Sequence, residues 1–405
     1  MKRKPESVAA AVFIAVLAVC LVMALSGGVR RLLGDRTVDI YLYHPGEDGI
    51  TYLSVVDWFK DTCEKLCTDE LPGRVKLKEA NAAVNRLLGK WIFEGTEMVR
   101  LNNGYLAQVA VVDYEKVSPE TRVIPFRDFV EEELGVPYLY IQAPCKLCQE
   151  DPQLPMAEMD NFNEQTTMLL DKLREAGVDV LDLRRSLHED GLDHYGCFYV
   201  TDHHWTAPTG LWAARVMAEE LNGRYGLGLD SERLAEERFT QRVWEDVFLG
   251  SLGRKASLSA AQPEDFVLPV PLEPVHVTMT RYGEEITGGF EVLYDEEAIT
   301  PEDYYGGSSY GALLRGDCGY LKVENLENPD GPVVAVLRES FAGAPGPYLS
   351  LAAGELHLLD ARYYAGDLEE LLKEIQPDVV ISLLNTQCNV KVYFNEMYEE
   401  TAAMG

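Results

Sequence analysis

Asp202, His203 and His204 sit in one six-residue run, Thr201-Asp202-His203-His204-Trp205-Thr206, directly ahead of an amphipathic stretch. An Asp close to a His can hold one ring nitrogen and leave the other to take a proton from a nucleophile. Either imidazole is eligible on residue type alone. The run is half of a catalytic set, and the other half must be a Ser or Cys elsewhere. Asp202 also suits a helix start, where an acid complements the dipole. Trp205 reads as a core anchor for that helix or as a pocket wall.

In an open parallel sheet, ligands bind beyond the carboxyl ends of the strands, so the nucleophile is sought directly after a buried strand. Pro332-Val333-Val334-Ala335-Val336-Leu337 reads as such a strand and delivers Arg338-Glu339-Ser340-Phe341-Ala342-Gly343. A strand-to-helix turn there exposes the Ser340 hydroxyl and aims backbone N–H groups at a developing oxyanion. A serine at a strand end also serves as a turn residue or helix cap. Asp202 and His204 give Ser340 a partner. Arg362 and Asn385 follow two further predicted strands and so lie at the same sheet edge, as candidate oxyanion or substrate-binding donors. Surface ion pairing for Arg362 and loop capping for Asn385 are the alternatives.

The elements that must position these residues are read from periodicity. Residues 37–44 alternate as a strand, and 51–67 carry a helical pattern of a linker or cap. Residues 137–143 form a buried strand, 160–176 a helix closed by Gly177, and 178–183 the next strand, together a βαβ unit. A helix from about 206 to 221 comes next, with Thr206 as N-cap and Pro208 in its first turn. Residues 225–330 lose this rhythm and read as an inserted, irregular, mostly β module, serving as a lid or a partner surface. The rhythm returns with strands at 332–337, 356–359 and 378–384 and helices at 345–353 and 367–375, which makes five parallel strands.

The chain has 405 residues, of which 36 are basic and 67 acidic, for a formal net charge of -31. That balance argues against nucleic acid and strongly anionic surfaces as partners. Ser7 to Val29 carry no charge, and the apolar core from Val8 to Leu25 is long enough to cross a bilayer once. Residues 1–36 are therefore expected to form a short cytoplasmic tail and a single-pass anchor, 37–80 a linker or cap, and 81–405 an extracytoplasmic body. Lys2, Arg3 and Lys4 favour that orientation, and Arg30, Arg31 and Arg36 dilute the asymmetry. Cys20 lies in the anchor. Cys63, Cys67, Cys145, Cys148, Cys197, Cys318 and Cys388 leave an odd number in the body, so full pairing within one chain is impossible. The Cys145 and Cys148 spacing would serve zinc or redox chemistry if a second pair such as Cys63 and Cys67 converged on it. The expectation is no cofactor and no metal.

The Asp-His-His-Trp run together with a distant Ser-Phe after a buried strand resembles the DHHW proteins, relatives of the alginate O-acetyltransferases with SGNH-hydrolase-like domains. The resemblance covers roughly 80–390 and includes Asn85-Arg86-Leu87-Leu88-Gly89-Lys90-Trp91-Ile92-Phe93 and Leu101-Asn102-Asn103-Gly104-Tyr105-Leu106. It implies a three-layer α/β/α, flavodoxin-like parallel sheet, with Ser340 as nucleophile, His204 as general base and Asp202 as its orienter. His203 falls outside the Asp-x-His spacing and is expected to pack or to bond backbone. One departure stands out: related serine hydrolases commonly carry Gly-Asp-Ser, where this chain has Arg338-Glu339-Ser340. The resemblance also implies a function, a membrane-anchored O-acetyltransferase acting on a cell-surface or exported polysaccharide through an acyl-serine, supplied by a multispanning membrane-bound O-acyltransferase. A carbohydrate acetylesterase and a non-catalytic polysaccharide-binding accessory protein are the alternatives.

Overall fold

The computed structural model describes residues 74–87, 92–93, 98–111, 118–156, 158–299, 304–305 and 307–385. The expected anchor within 1–36, the strand at 37–44, the helix at 51–67, and Cys20, Cys63, Cys67 and Cys388 lie outside them. Among the described residues no helix is long and apolar enough to cross a membrane. The chain divides into two compact units between Leu88 and Gly89. In the first, the described element is the helix Arg74–Leu87. All the described strands belong to the second.

Three short strands, β1 (Ile92–Phe93), β2 (Met98–Arg100) and β3 (Leu106–Gln108), form a small antiparallel sheet. After β4 (Tyr138–Gln142) and β5 (Val180–Asp182) come β6 (Phe239–Phe248) and β7 (Glu264–Pro271), which pair only with each other. The remaining strands are β8 (Val277–Arg281), β9 (Glu284–Gly288), β10 (Tyr320–Asn325), β11 (Val333–Arg338), β12 (Glu355–Leu359) and β13 (Val379–Leu384). The main sheet has eight strands in the order β5-β4-β13-β11-β12-β10-β8-β9. Its first five strands run parallel, as the buried apolar runs Tyr-Leu-Tyr-Ile, Val-Val-Ala-Val-Leu and Val-Val-Ile-Ser-Leu-Leu require.

The irregular stretch at 225–330 is not wholly an insertion. β10 pairs antiparallel with β12 and β8, and β8 with β9, so three strands of that stretch extend the main sheet and make it mixed. The physical reason lies in burial: β10 is buried at every second residue and β9 is mostly exposed, whereas β13 is buried throughout. An edge that faces water on one side alternates, and its strands lack the apolar runs of the parallel centre.

Two apolar layers close on the sheet. Leu139, Ile141, Val334, Val336, Ile381 and Leu383 share a core with the helices Ala207–Tyr225 and Gly346–Ala352. The alternate residues Tyr138, Tyr140, Ala335, Leu337 and Val380 pack with the helices Glu120–Asp128, Phe162–Glu175 and Leu368–Ile375. Helix Ala207–Tyr225 starts where the Thr206 side chain accepts from Thr209 N, and stops at Gly226 in the left-handed region, φ 66°. After β11 the chain crosses to β12 on one side and returns to β13 on the other, so the carboxyl ends of β11 and β13 flank a reversal of winding, where open α/β sheets bind ligands.

Candidate active site

Ser340 is the first residue of a 3-10 turn, Ser340–Gly343, directly after β11. Its Oγ stands 2.8 Å from His204 Nε2, and His204 Nδ1 stands 2.6 Å from Asp202 Oδ1. An ionised carboxylate only accepts, so Nδ1 carries the ring proton and Nε2 presents a lone pair to the Ser340 hydroxyl. The fold thus joins in one hydrogen-bonded chain three residues that the sequence holds 136 positions apart at their widest bond. His204, rather than His203, is the imidazole that reaches the serine.

The His204 ring is fixed on both sides. It stacks on Tyr310 with centroids 3.9 Å apart and planes at 9°, and His203 lies 3.8 Å away on centroids. Tyr310 Oη donates to the Ser340 carbonyl at 2.9 Å, and Trp205 Nε1 donates to the Phe341 carbonyl at 2.8 Å. The segment that carries His204 therefore also grips the turn that carries the Ser340 hydroxyl. Trp205 is fully buried, which makes it an anchor and not a pocket wall. His203 Nδ1 meets Ser251 Oγ at 3.1 Å, and burial pushes the His203 imidazole down to about 3, with nearby His204 acting in the same direction.

Asp202 is held by more than its imidazole. Its Oδ1 also accepts from His204 N at 3.0 Å and its Oδ2 from Ser251 N at 2.5 Å. Burial alone would raise this carboxyl. His203, His204 and the donated hydrogen bonds outweigh it and hold Asp202 well below the usual carboxylate range. Gly250 permits the approach, since a Cβ there would collide with Asp202 Cβ. Beneath the segment, buried Lys146 donates from Nζ to the carbonyls of Asp202 at 2.6 Å and Val200 at 3.1 Å. Glu264 accepts from the backbone of Val200 and Thr201, each at 2.7 Å. Burial presses the Lys146 ammonium towards neutrality, and the two carbonyls satisfy it.

Residues 128–290 match the family model described as an SGNH hydrolase-like domain, acetyltransferase AlgX. Comparison with curated proteins finds no match. Among solved structures, a DHHW family protein from Eubacterium siraeum aligns with TM-score 0.58 at 14% identity, over 74% of this chain and 93% of that one. PatB1 of Bacillus cereus aligns with TM-score 0.57 at 18% identity, over 71% of this chain and 94% of that one. The resemblance to the AlgX-type, SGNH-hydrolase-like domains stands. The solved structures share the fold of this chain. The matched stretch contains Asp202 and His204 and stops short of Ser340, so their meeting rests on the fold of this chain.

The departure from the Gly-Asp-Ser pattern has a structural account. The Arg338 side chain is buried, 1% exposed, with its guanidinium 3.3 Å from Asp317 Oδ1 and 3.5 Å from the Cys318 carbonyl. It ties the end of β11 to the segment before β10. Glu339 accepts from Asn385 N at 3.0 Å and lies 3.3 Å from Ser340 Oγ. Burial pushes the Glu339 carboxyl up to about 8, against the opposing pull of Arg362. A neutral Glu339 does not compete for the Ser340 proton, which is then left to His204.

Arg362 and Asn385, the candidate donors, each have a partner within the protein. Arg362 Nε and Nη2 bind Asp360 at 2.9 and 2.6 Å, because a fully buried aspartate demands a charge partner. Asn385 Nδ2 donates to the Pro144 carbonyl at 2.8 Å. Both support Glu339, and through it the Ser340 turn. A cleft of about 1060 Å³ opens beside Tyr199, Thr206 and Trp212, yet neither Ser340 nor His204 lines it. Cys145, Cys148, Cys197 and Cys318 are buried free thiols. Lys146, Tyr310, Ser251 and Gly250 are the supporting residues that sequence reasoning missed. Lys146 alone carried a signal, as a lysine four positions past the end of a buried strand.

Proposed function

We propose that this chain is a serine-dependent O-acetyltransferase that moves acetyl groups onto hydroxyls of a cell-surface or exported polysaccharide through an acyl-Ser340 intermediate. The observation that carries this reading is the unbroken contact from Ser340 Oγ through the His204 ring to the Asp202 carboxylate, at 2.8 and 2.6 Å. In the first half-reaction His204 Nε2 takes the Ser340 proton as Oγ bonds to the acetyl carbonyl carbon. The tetrahedral intermediate collapses when the protonated imidazole returns that proton to the leaving group. In the second half, His204 takes the proton of a sugar hydroxyl as its oxygen attacks the acyl carbon, and the imidazolium then gives that proton to Ser340 Oγ as the acyl–Oγ bond breaks. Asp202 keeps its negative charge throughout and stabilises the imidazolium. A single helix within residues 1–36 would hold the body outside the cytosol, where a multispanning membrane-bound O-acyltransferase would supply acetyl groups from within.

The test uses the full-length chain in detergent. PatB1 of Bacillus cereus has been solved with a sulfonyl adduct, so a sulfonyl fluoride is a suitable probe for this chain. It is expected to add once, at Ser340, and not to label Ser340→Ala. A chromogenic acetyl ester should release acetate. Ser340→Ala and His204→Ala should abolish this release, and Asp202→Asn should lower kcat by about 10⁴-fold through the wrong imidazole tautomer. Added glycan acceptor should divert acetyl groups into O-acetyl sugar. Acetate as the sole product at saturating acceptor would turn the reading to hydrolysis, and an unlabelled Ser340 with no acetate release would end it.

A further inference from the structure

Away from Ser340, three side chains with soft or borderline donors converge. Cys148, on the loop after β4, His188, in the last turn of the helix Leu183–Glu189, and His194, before the 3-10 turn Tyr195–Cys197, each offer one donor atom, and these atoms lie within 4.8 Å of one another. Glu150 joins them: its Oε2 is 3.4 Å from Cys148 Sγ and 3.5 Å from His188 Nε2. Bonds of roughly 2.0–2.3 Å place the donors of a tetrahedral zinc site roughly 3.3–3.8 Å apart. The two Glu150 separations already have that length, and the Cys148, His188 and His194 donors, within 4.8 Å of one another, close on one ion by small side-chain movements.

The second observation is on His194. The residue is 9% exposed, its Nε2 lies 3.1 Å from the Lys146 carbonyl, and its Nδ1 is a buried polar atom with no hydrogen-bond partner. A carbonyl only accepts, so Nε2 carries the proton and Nδ1 is left with a bare lone pair. A buried polar atom without a partner is costly. A ligating histidine has this arrangement, one nitrogen donating to a backbone carbonyl and the other free for the metal. A Cys, His, His and carboxylate set of mixed softness suits zinc better than calcium or magnesium.

We propose that Cys148, His188 and His194, with Glu150 as the fourth ligand, form a tetrahedral binding site for a divalent ion of the zinc type. The site is structural, since protein groups fill all four positions. It staples the loop after β4 to the turn that leads into Thr201-Asp202-His203-His204. His194 holds the Lys146 carbonyl while the Lys146 ammonium holds the Asp202 carbonyl, so the metal braces the segment that carries the base. The site does not depend on the chemistry assigned to Ser340.

The test takes the full-length chain, stripped with a chelator, and titrates it with Zn²⁺ against a chromophoric competitor and with Co²⁺ followed by absorbance. One equivalent should bind. Cobalt should give a thiolate charge-transfer band together with the intense visible bands of a tetrahedral centre. Cys148→Ser should remove the thiolate band, and His188→Ala should weaken zinc binding by about tenfold or more. Zinc should raise the Tm of the parent chain and not that of His188→Ala. His188 is an exposed side chain, so its variant keeps the proposal testable if Cys148→Ser fails to fold. Cys197→Ser, outside the cluster, should bind zinc as the parent does. Failure to bind one equivalent overturns the site. So does binding that survives both Cys148→Ser and His188→Ala, which would place the metal on other groups.

Discussion

The Ser340 hydroxyl has one proton and two acceptors within reach, His204 Nε2 at 2.8 Å and Glu339 Oε2 at 3.3 Å. The protonation state of Glu339 decides between them. Folded, Glu339 keeps its proton up to about pH 8, whereas the ordinary value is 4.5. Between those values folding takes up a proton, so stability falls as pH rises through that window. Glu339→Gln preserves a neutral acceptor for the Asn385 N–H. It should flatten the decline while leaving acetyl-ester hydrolysis in place, as chemical denaturation and rate measurements at several pH values would reveal. An unchanged slope in the variant would assign the pH dependence to other groups. Asp202, His204 and Ser340 were legible because their signals are local: an Asp-x-His spacing, and a serine after a buried strand. Tyr310 and Ser251 were not, because each meets the site only by folding back from the stretch read as an insertion. Lys146 was hidden between two cysteines whose spacing drew attention to sulfur.

At the scale of elements, the site depends on how closely helix Ala207–Tyr225 approaches the Ser340 turn. A Cβ on Gly210 would lie 2.5 Å from the Ala344 carbonyl carbon, a backbone atom that cannot swing aside. Gly210→Ala should therefore push the turn away from the helix whose first residues come just after His204. Overpacking of this kind costs about 1–3 kcal/mol, so denaturation should show a loss of that order together with a fall in kcat. Full activity with unchanged stability would mean that the two elements are free to part. The strands and helices of the parallel half could be read because solid apolar runs alternate with amphipathic ones. β8, β9 and β10 could not be placed, since short alternating strands give the same pattern in a separate ribbon as at the edge of a larger sheet. Only pairing partners distant in sequence distinguish the two, such as Leu321 with Leu358 and Lys322 with Thr280.

At the scale of the whole molecule, the proposed anchor within residues 1–36 would leave the body on one of two sides of a membrane. Three basic residues, Lys2, Arg3 and Lys4, precede the uncharged run, and three, Arg30, Arg31 and Arg36, come after it. The positive-inside rule counts Lys and Arg near the ends of a span, so on this count it selects neither orientation. The proposed chemistry does select one, because the hydroxyls of an exported or cell-surface polysaccharide lie outside. A reporter active only outside the cytosol, fused after Gly405, should therefore be active, and a reporter that folds only in the cytosol should be silent at the same position. Removing residues 1–36 should release the body from the membrane fraction without altering its sulfonyl fluoride labelling at Ser340. The reverse reporter pattern would leave Ser340 without access to such a glycan, and the acceptor would then have to be an intracellular hydroxyl compound.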